Sequence, residues 1–258
     1  LNTYLAQLAG KPIWTPTYIT ISDLFRRHSD LKVADPIKSI CDLHKVFVAC
    51  TGIDETLDHF YGWGQLLLAD FDDVDKNMVD AKLLFANLSD IHELDDVSYL
   101  TDYQKAIIKK FFSNFSDDHN TELKKRFLQL WSHFYDIYIG FNQKLAEQQL
   151  AYEGALYRKV VNDEDIDFHY KKYLFIGFNM MQIVEQTLCD RLLKQGKALF
   201  YWDYDKYYME GQNEAGHYIR QYLKHYPNEL ASYPQKDIYD NMSKNKDITY
   251  ISAPTENI

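Results

Sequence analysis

The sequence predicts a helix-rich α/β protein, with a parallel-sheet domain interrupted by an all-helical block. Three observations carry that reading. Two short apolar runs, Tyr173 to Ile176 and Ala198 to Trp202, flank a segment with Met180, Ile183, Val184, Leu188, Leu192 and Leu193 at helical spacing, stopped by Gly196. A strand, helix, strand unit of that length places its two strands side by side and parallel. Because both runs are apolar throughout, both strands are expected inside a sheet covered by helices on its two faces. Finally, no convincing strand pattern occurs from about residue 37 to residue 157.

Taken in order, Leu1 to Ala9 reads as a helix ended by Gly10. Tyr18-Ile-Thr-Ile21 reads as a short strand, with Ser22-Asp23 capping a following helix. Apolar residues at 37, 40, 43, 46, 47 and 50 mark an amphipathic helix. Leu57, Phe60, Tyr61, Gly64, Leu67 and Leu68 mark another, ending in the acidic run Asp70 to Asp75. Val79 to Phe85, Ala106 to Phe115 and Leu123 to Leu145 continue the helical block, with Thr101 as a cap for the second of these. Tyr152 to Val160 leads through an acidic loop, Asn162 to Asp167, back to the sheet. Glu214 to His225 is a further helix, Tyr226 to Lys246 a series of turns, and Ile248 to Ala253 a fresh strand pattern. Both ends therefore read as cuts in a longer polypeptide.

The 46% hydrophobic content is ample for a packed core, and scarce glycine and proline (ten and six) argue against long linkers. A formal charge of −10 opposes non-specific binding to phosphate backbones, although local basic strips remain compatible with it. Three cysteines form no even framework, and no apolar run approaches the roughly 20 residues of a bilayer span. The expectation is a soluble, cytoplasmic protein with no membrane contact.

Several constellations could carry chemistry. Asp203-Tyr-Asp205 closes an apolar run, as in phosphatases that set a nucleophilic carboxylate and an acid beside Mg²⁺, but Lys206 and Tyr207 stand where smaller residues belong. Asp70, Asp72, Asp73 and Asp75 offer oxygens to a hard cation without a glycine turn or distal Glu. Cys41, His44 and Cys50 lack the fourth ligand of a closed zinc site. The simpler readings are a loop cap, a solvated helix end and core thiols, so no metal site is assigned. The aromatic cluster around Phe200, Trp202 and Tyr204 reads as packing more readily than as a base-stacking platform. No GxxxxGK[ST], GxSxG or HExxH motif occurs.

Six stretches together resemble a known family. They are Pro16 to Phe25, Phe60 to Asp75, Tyr152 to Tyr157, Phe175 to Phe178, Lys197 to Asp205 and Asn213 to Gly216. In order and content the chain resembles the N-terminal, helicase-like region of AddB-type subunits of ATP-dependent helicase-nucleases, in the Bacteroidetes form carrying a distal PD-(D/E)XK nuclease domain. The resemblance implies a RecA-like (P-loop NTPase-like) domain formed by residues 1–36 and 161–258, incomplete at both ends, with residues 37–160 as its helical insertion. It also implies an upstream ATP-binding loop and a downstream exonuclease, so ATP and Mg²⁺ would enter only through parts outside this sequence.

The chain departs from an active motor at one place. A motor needs a carboxylate at the end of its second-motif strand to hold Mg²⁺ and orient water. Here Ile176-Gly177-Phe178-Asn179 occupy that end, with Gln182 and Glu185 on the next helix. The resemblance thus implies a non-catalytic module in DNA double-strand break repair, guiding DNA or docking an AddA-type helicase partner. It places single-strand contacts at Ser22, beside which Arg26 and Arg27 add positive charge. A Mg²⁺-dependent phosphatase using Asp203 and Asp205, and a purely structural protein-interaction module, are the alternatives.

Overall fold

The computed structural model describes residues 1–87, 130–211, 213–232 and 236–250. The helices expected between residues 101 and 129, the first part of the long one expected from Leu123, and the second half of the strand pattern at 248–253 lie outside the described residues; residues 248–250 form no strand. What is described is helix-rich, with two small parallel strand pairs. It divides into two compact units. The first holds residues 1–168 with Gln182–Thr187, and the second His169–Met181 with residues 188–258. Residues 1–36 thus group with the helical block, a different division from the expected pairing of 1–36 with 161–258.

In the first unit, α1 (Asn2–Ala9) ends at Gly10, whose φ of 60° and N–H bond to the Ala6 carbonyl make the expected stop. The strand expected at Tyr18–Ile21 is not formed. Thr20 instead caps α2 (Ile21–Arg27): its hydroxyl accepts from Asp23 N (3.1 Å) and the Asp23 carboxylate accepts from Thr20 N (3.4 Å). That capping box starts a helix where β-branched residues alone suggest a strand. Strand β1 (Lys32–Val33) follows. Asp35 then caps α3 (Pro36–Thr51) by accepting from Ile37 N and Lys38 N, with Pro36 in the first turn.

The core of this unit lies where α3, α4 (Leu57–Lys76), α5 (Ala81–Asn87) and α6 (Phe134–Ala146) bring their apolar stripes together. Phe47, Phe60, Trp63 and Phe134 form a chain of ring contacts with centroids 5.0 to 5.7 Å apart. Strand β2 (Leu150–Ala151), absent from the expected helical block, pairs in parallel with β1, Lys32 opposite Leu150. Helix α7 (Glu153–Asn162) then lies against α4.

Helix α4 runs further than its apolar stripe alone implies, so Asp70 to Asp75 form its last turns, with Asp70 and Asp73 exposed as at a solvated helix end and Asp75 buried. It ends in a Schellman turn: Met78 N bonds to the Asp75 carbonyl and Val79 N to the Val74 carbonyl, both at 3.0 Å. Met78 occupies the left-handed position at φ 55°, where glycine is usual. Holding an L-residue there costs about 1–2 kcal/mol, and glycine loses more chain entropy on folding, about 0.4–1 kcal/mol. Met78→Gly should therefore stabilise the unit by about 0.5–1 kcal/mol, read as a raised urea midpoint at unchanged slope.

The second unit contains β3 (Tyr173–Ile176), the C-terminal turns of α8 (Ile183–Lys194), and β4 (Ala198–Tyr201). The strands pair in parallel, Tyr173 opposite Ala198 through Ile176 opposite Tyr201, as the sequence pattern predicts. Gly196, at φ 66°, makes the stop between helix and strand. The sheet is not covered on both faces among the described residues. Tyr173 and Phe175 are buried, but Leu174 and Ile176 are 54% and 64% exposed. The buried side stacks Phe175 on Phe200 (5.2 Å) and continues through Trp202 to Tyr222 on α10 (His217–Tyr222). Phe200 and Trp202 are therefore packing residues, as expected; Tyr207, on α9 (Lys206–Met209), is exposed.

Candidate functional site

The sequence points to three places, and each can be built from its residues. Ser22 sits in the first turn of α2, and its hydroxyl is beside that of Tyr157 on α7. The Tyr157 ring stacks on Phe25 (centroids 4.1 Å), which fixes α2 against α7. Burial raises the Tyr157 phenol, Ser22 acting against and nearby Glu153 adding to the shift. Arg26 and Arg27 fall in the last turn, where cations meet the negative end of the helix. Their fates differ. Arg26 Nη2 lies 2.7 Å from Glu153 Oε1, so its charge is partly matched, whereas Arg27 is exposed and makes no ion pair among the described residues.

Glu153 belongs to a wider set. Lys76 Nζ lies 3.4 Å from Glu153 Oε2 and 2.7 Å from Asp72 Oδ2, and Asp72 Oδ1 accepts from Gly154 N at 2.6 Å. Desolvation works against the charge on Lys76 and on Glu153, yet the pairing wins in both. Asp72 and Glu153 raise the Lys76 ammonium, and Tyr157, Arg26 and Lys76 hold the Glu153 carboxyl below its usual range. A depressed folded-state pKa contributes stability that is present above the ordinary glutamate value and lost as pH falls through the folded value. Tryptophan fluorescence should thus report a first unit that weakens as pH drops below about 4, with a shallower slope in Glu153→Gln.

A second set was not found from the sequence. The Asp75 side chain is 1% exposed and accepts from Tyr138 Oη (2.6 Å), Tyr152 Oη and Arg158 Nη1 (3.1 Å). Asn142 Nδ2 donates to Tyr152 Oη at 3.1 Å. Burial and the Asp75 charge push both phenols up, so each keeps its proton and donates it. One signal was available: Phe60, Gly64, Leu67, Phe71 and Asp75 continue a three- and four-residue spacing that puts Asp75 on the buried face. The four aspartates do not converge on a cation. Asp72 and Asp75 are engaged as described, while Asp70 and Asp73 are exposed. Cys41 and Cys50 are half-buried thiols, and His44 Nε2 donates to the Glu55 carbonyl at 2.6 Å. Among the described residues no three His, Cys, Asp or Glu side chains are grouped to hold a metal.

The third place is the pair of strand ends in the second unit. At the end of β3, Ile176 is exposed; beyond it Gly177 adopts φ 79° and Phe178 meets Phe175 edge-on at 5.8 Å. Asn179 follows, so residues 176–179 themselves supply no carboxylate. Glu185, in the part of α8 that belongs to the first unit, accepts on Oε2 from Gln182 N (2.8 Å), and burial raises its carboxyl. Beyond β4, Asp203 is exposed, and Asp205 is committed to the backbone. Its Oδ1 accepts from Tyr207 N (3.0 Å) and its Oδ2 from Asn241 N and Met242 N (2.7 and 2.8 Å). Desolvation opposes its charge, but those three N–H groups hold the carboxyl below the usual range. A carboxylate so occupied is a loop cap, and this geometry lends nothing to the phosphatase alternative. No helix among the described residues is long and apolar enough to cross a membrane. Comparison with protein-family models, with curated proteins and with solved structures finds no match to this chain.

Proposed function

We propose that this chain is a non-catalytic, helicase-like module of an ATP-dependent DNA helicase-nuclease, guiding DNA or docking an AddA-type motor partner in double-strand break repair. In this reading the parallel β3–α8–β4 unit is the centre of a RecA-like sheet. The observation that carries it is the end of β3: a strand of a parallel sheet opening onto Ile176, Gly177, Phe178 and Asn179, with no acid to hold Mg²⁺ where phosphoryl transfer requires one. ATP and Mg²⁺ then belong to other parts of the full polypeptide or to the partner. The exposed apolar face of β3, Leu174 and Ile176, is compatible with further sheet or partner elements packing there.

DNA contact falls to the end of α2. Because Glu153 already occupies Arg26, Arg27 is the stronger phosphate contact. Anisotropy of a labelled single strand with the full polypeptide at low salt is the test. Arg27→Ala should weaken binding several-fold and lower the salt slope by about one, and Arg26→Ala should do less. Unchanged affinity in the double variant would remove the DNA assignment. DNA-stimulated ATP hydrolysis that survives loss of every other nucleotide site would remove the non-catalytic one.

A further inference from the structure

A pocket of about 360 Å³ opens in the first unit, beside the buried Asp75 cluster. It is lined by Met78, Asp80, Lys82, Tyr135, Ile139 and Arg158, with Ala81 and Tyr138 completing the wall. Arg158 is held in place. Its Nη1 uses both hydrogens, one on Asp75 Oδ1 (3.1 Å) and one on the Val79 carbonyl (2.8 Å). The Nε–H and the two Nη2 hydrogens have no partner among the described residues, and the side chain is one-quarter exposed. That leaves the side-on edge of the guanidinium, the edge that matches the two oxygens of a carboxylate, uncommitted among the described residues on a side chain that lines the pocket and is fixed through its other nitrogen.

Two more features define the ligand. Met78 keeps its side chain at the pocket in spite of its left-handed backbone, and with exposed Ile139 it forms an apolar wall. Asp80 puts a carboxylate on the rim, its Oδ1 accepting from Leu83 N (3.0 Å), which disfavours a multiply charged anion; Lys82 is exposed and makes no ion pair among the described residues. We propose that this pocket binds a small monocarboxylate with an apolar or aromatic body, the carboxylate on the free edge of Arg158 and the body against Met78 and Ile139. Its volume is at the lower end of the range for small-molecule sites.

The test uses the full chain with ¹³C-labelled tyrosine rings and phenylacetate as probe. Saturable shifts of the Tyr135 and Tyr138 signals are expected, with phenylacetamide at least tenfold weaker and inorganic phosphate no better than the amide. Arg158→Lys, which keeps the charge but loses the fork, should weaken phenylacetate at least tenfold. Met78→Gly, expected to be better folded than the parent, should weaken it about threefold, so a loss there cannot be laid to misfolding. Equal response to acid and amide, no saturation by about 10 mM, or full affinity in Met78→Gly would overturn the proposal.

Discussion

Asp75→Ala should destabilise the first unit by about 3–5 kcal/mol, the range for removing one partner of a buried charged cluster. Asp75 accepts from two phenols and a guanidinium, and its side chain is 1% exposed. The alanine variant leaves Arg158 facing two phenols with the central acceptor gone. Asp75→Asn should be milder but still damaging, because an amide supplies one acceptor oxygen where Tyr138 and Tyr152 use two. Urea unfolding followed through Trp63 and Trp131 measures both. A loss under about 1 kcal/mol for alanine would show that the cluster is loosely held or that water enters it.

Gly154→Ala comes next, at about 2–4 kcal/mol. Residue 154 lies in the first turn of α7, and an added Cβ would fall inside contact distance of the Asp72 carbonyl oxygen and 2.9 Å from Asp72 Oδ1. The obstacle is backbone of α4 and cannot swing away, so α7 must shift, breaking the 2.6 Å bond from Gly154 N to Asp72 Oδ1. The shift would also disturb the Arg26–Glu153 pair, because Glu153 is the adjacent residue. A control separates close approach from helix propensity. In an exposed helix alanine is favoured over glycine by about 1 kcal/mol, so a stabilised Gly154→Ala protein would show that α4 and α7 do not touch as described.

Much of the secondary structure was legible along the chain. Strands β3 and β4, the helix between them and the stops at Gly10 and Gly196 follow from period and from glycine's access to positive φ. Helix α3 begins one residue before the first apolar position of its stripe, at a proline behind an aspartate cap. The failures are local competitions that periodicity does not register. Tyr18 to Ile21 reads as a strand by composition, but Thr20 and Asp23 satisfy each other's backbone and start a helix. The pairing of β1 with β2 joins two-residue segments over 110 residues apart, too short to leave a pattern in either. On β3 the apolar run suggested two covered faces, and alternation decided otherwise for Leu174 and Ile176.

The candidate sites divide along the same line. The residue types at the strand ends, the absence of an acid after Ile176, and a cationic end to the second helix are properties of the sequence alone, because they depend only on which residue follows which. Which charges are free and which are matched was decided by the tertiary structure. Arg26 and Arg27 are adjacent and chemically alike, yet one meets Glu153 from a helix more than a hundred residues away and the other does not. Asp75 stands in an acidic run that looked solvated, and it is buried because Tyr138 from α6, Tyr152 from the cap of α7 and Arg158 from α7 arrive to satisfy it. A carboxylate stays charged in a core only where donors from elsewhere in the chain surround it, and their arrival is a matter of packing in three dimensions.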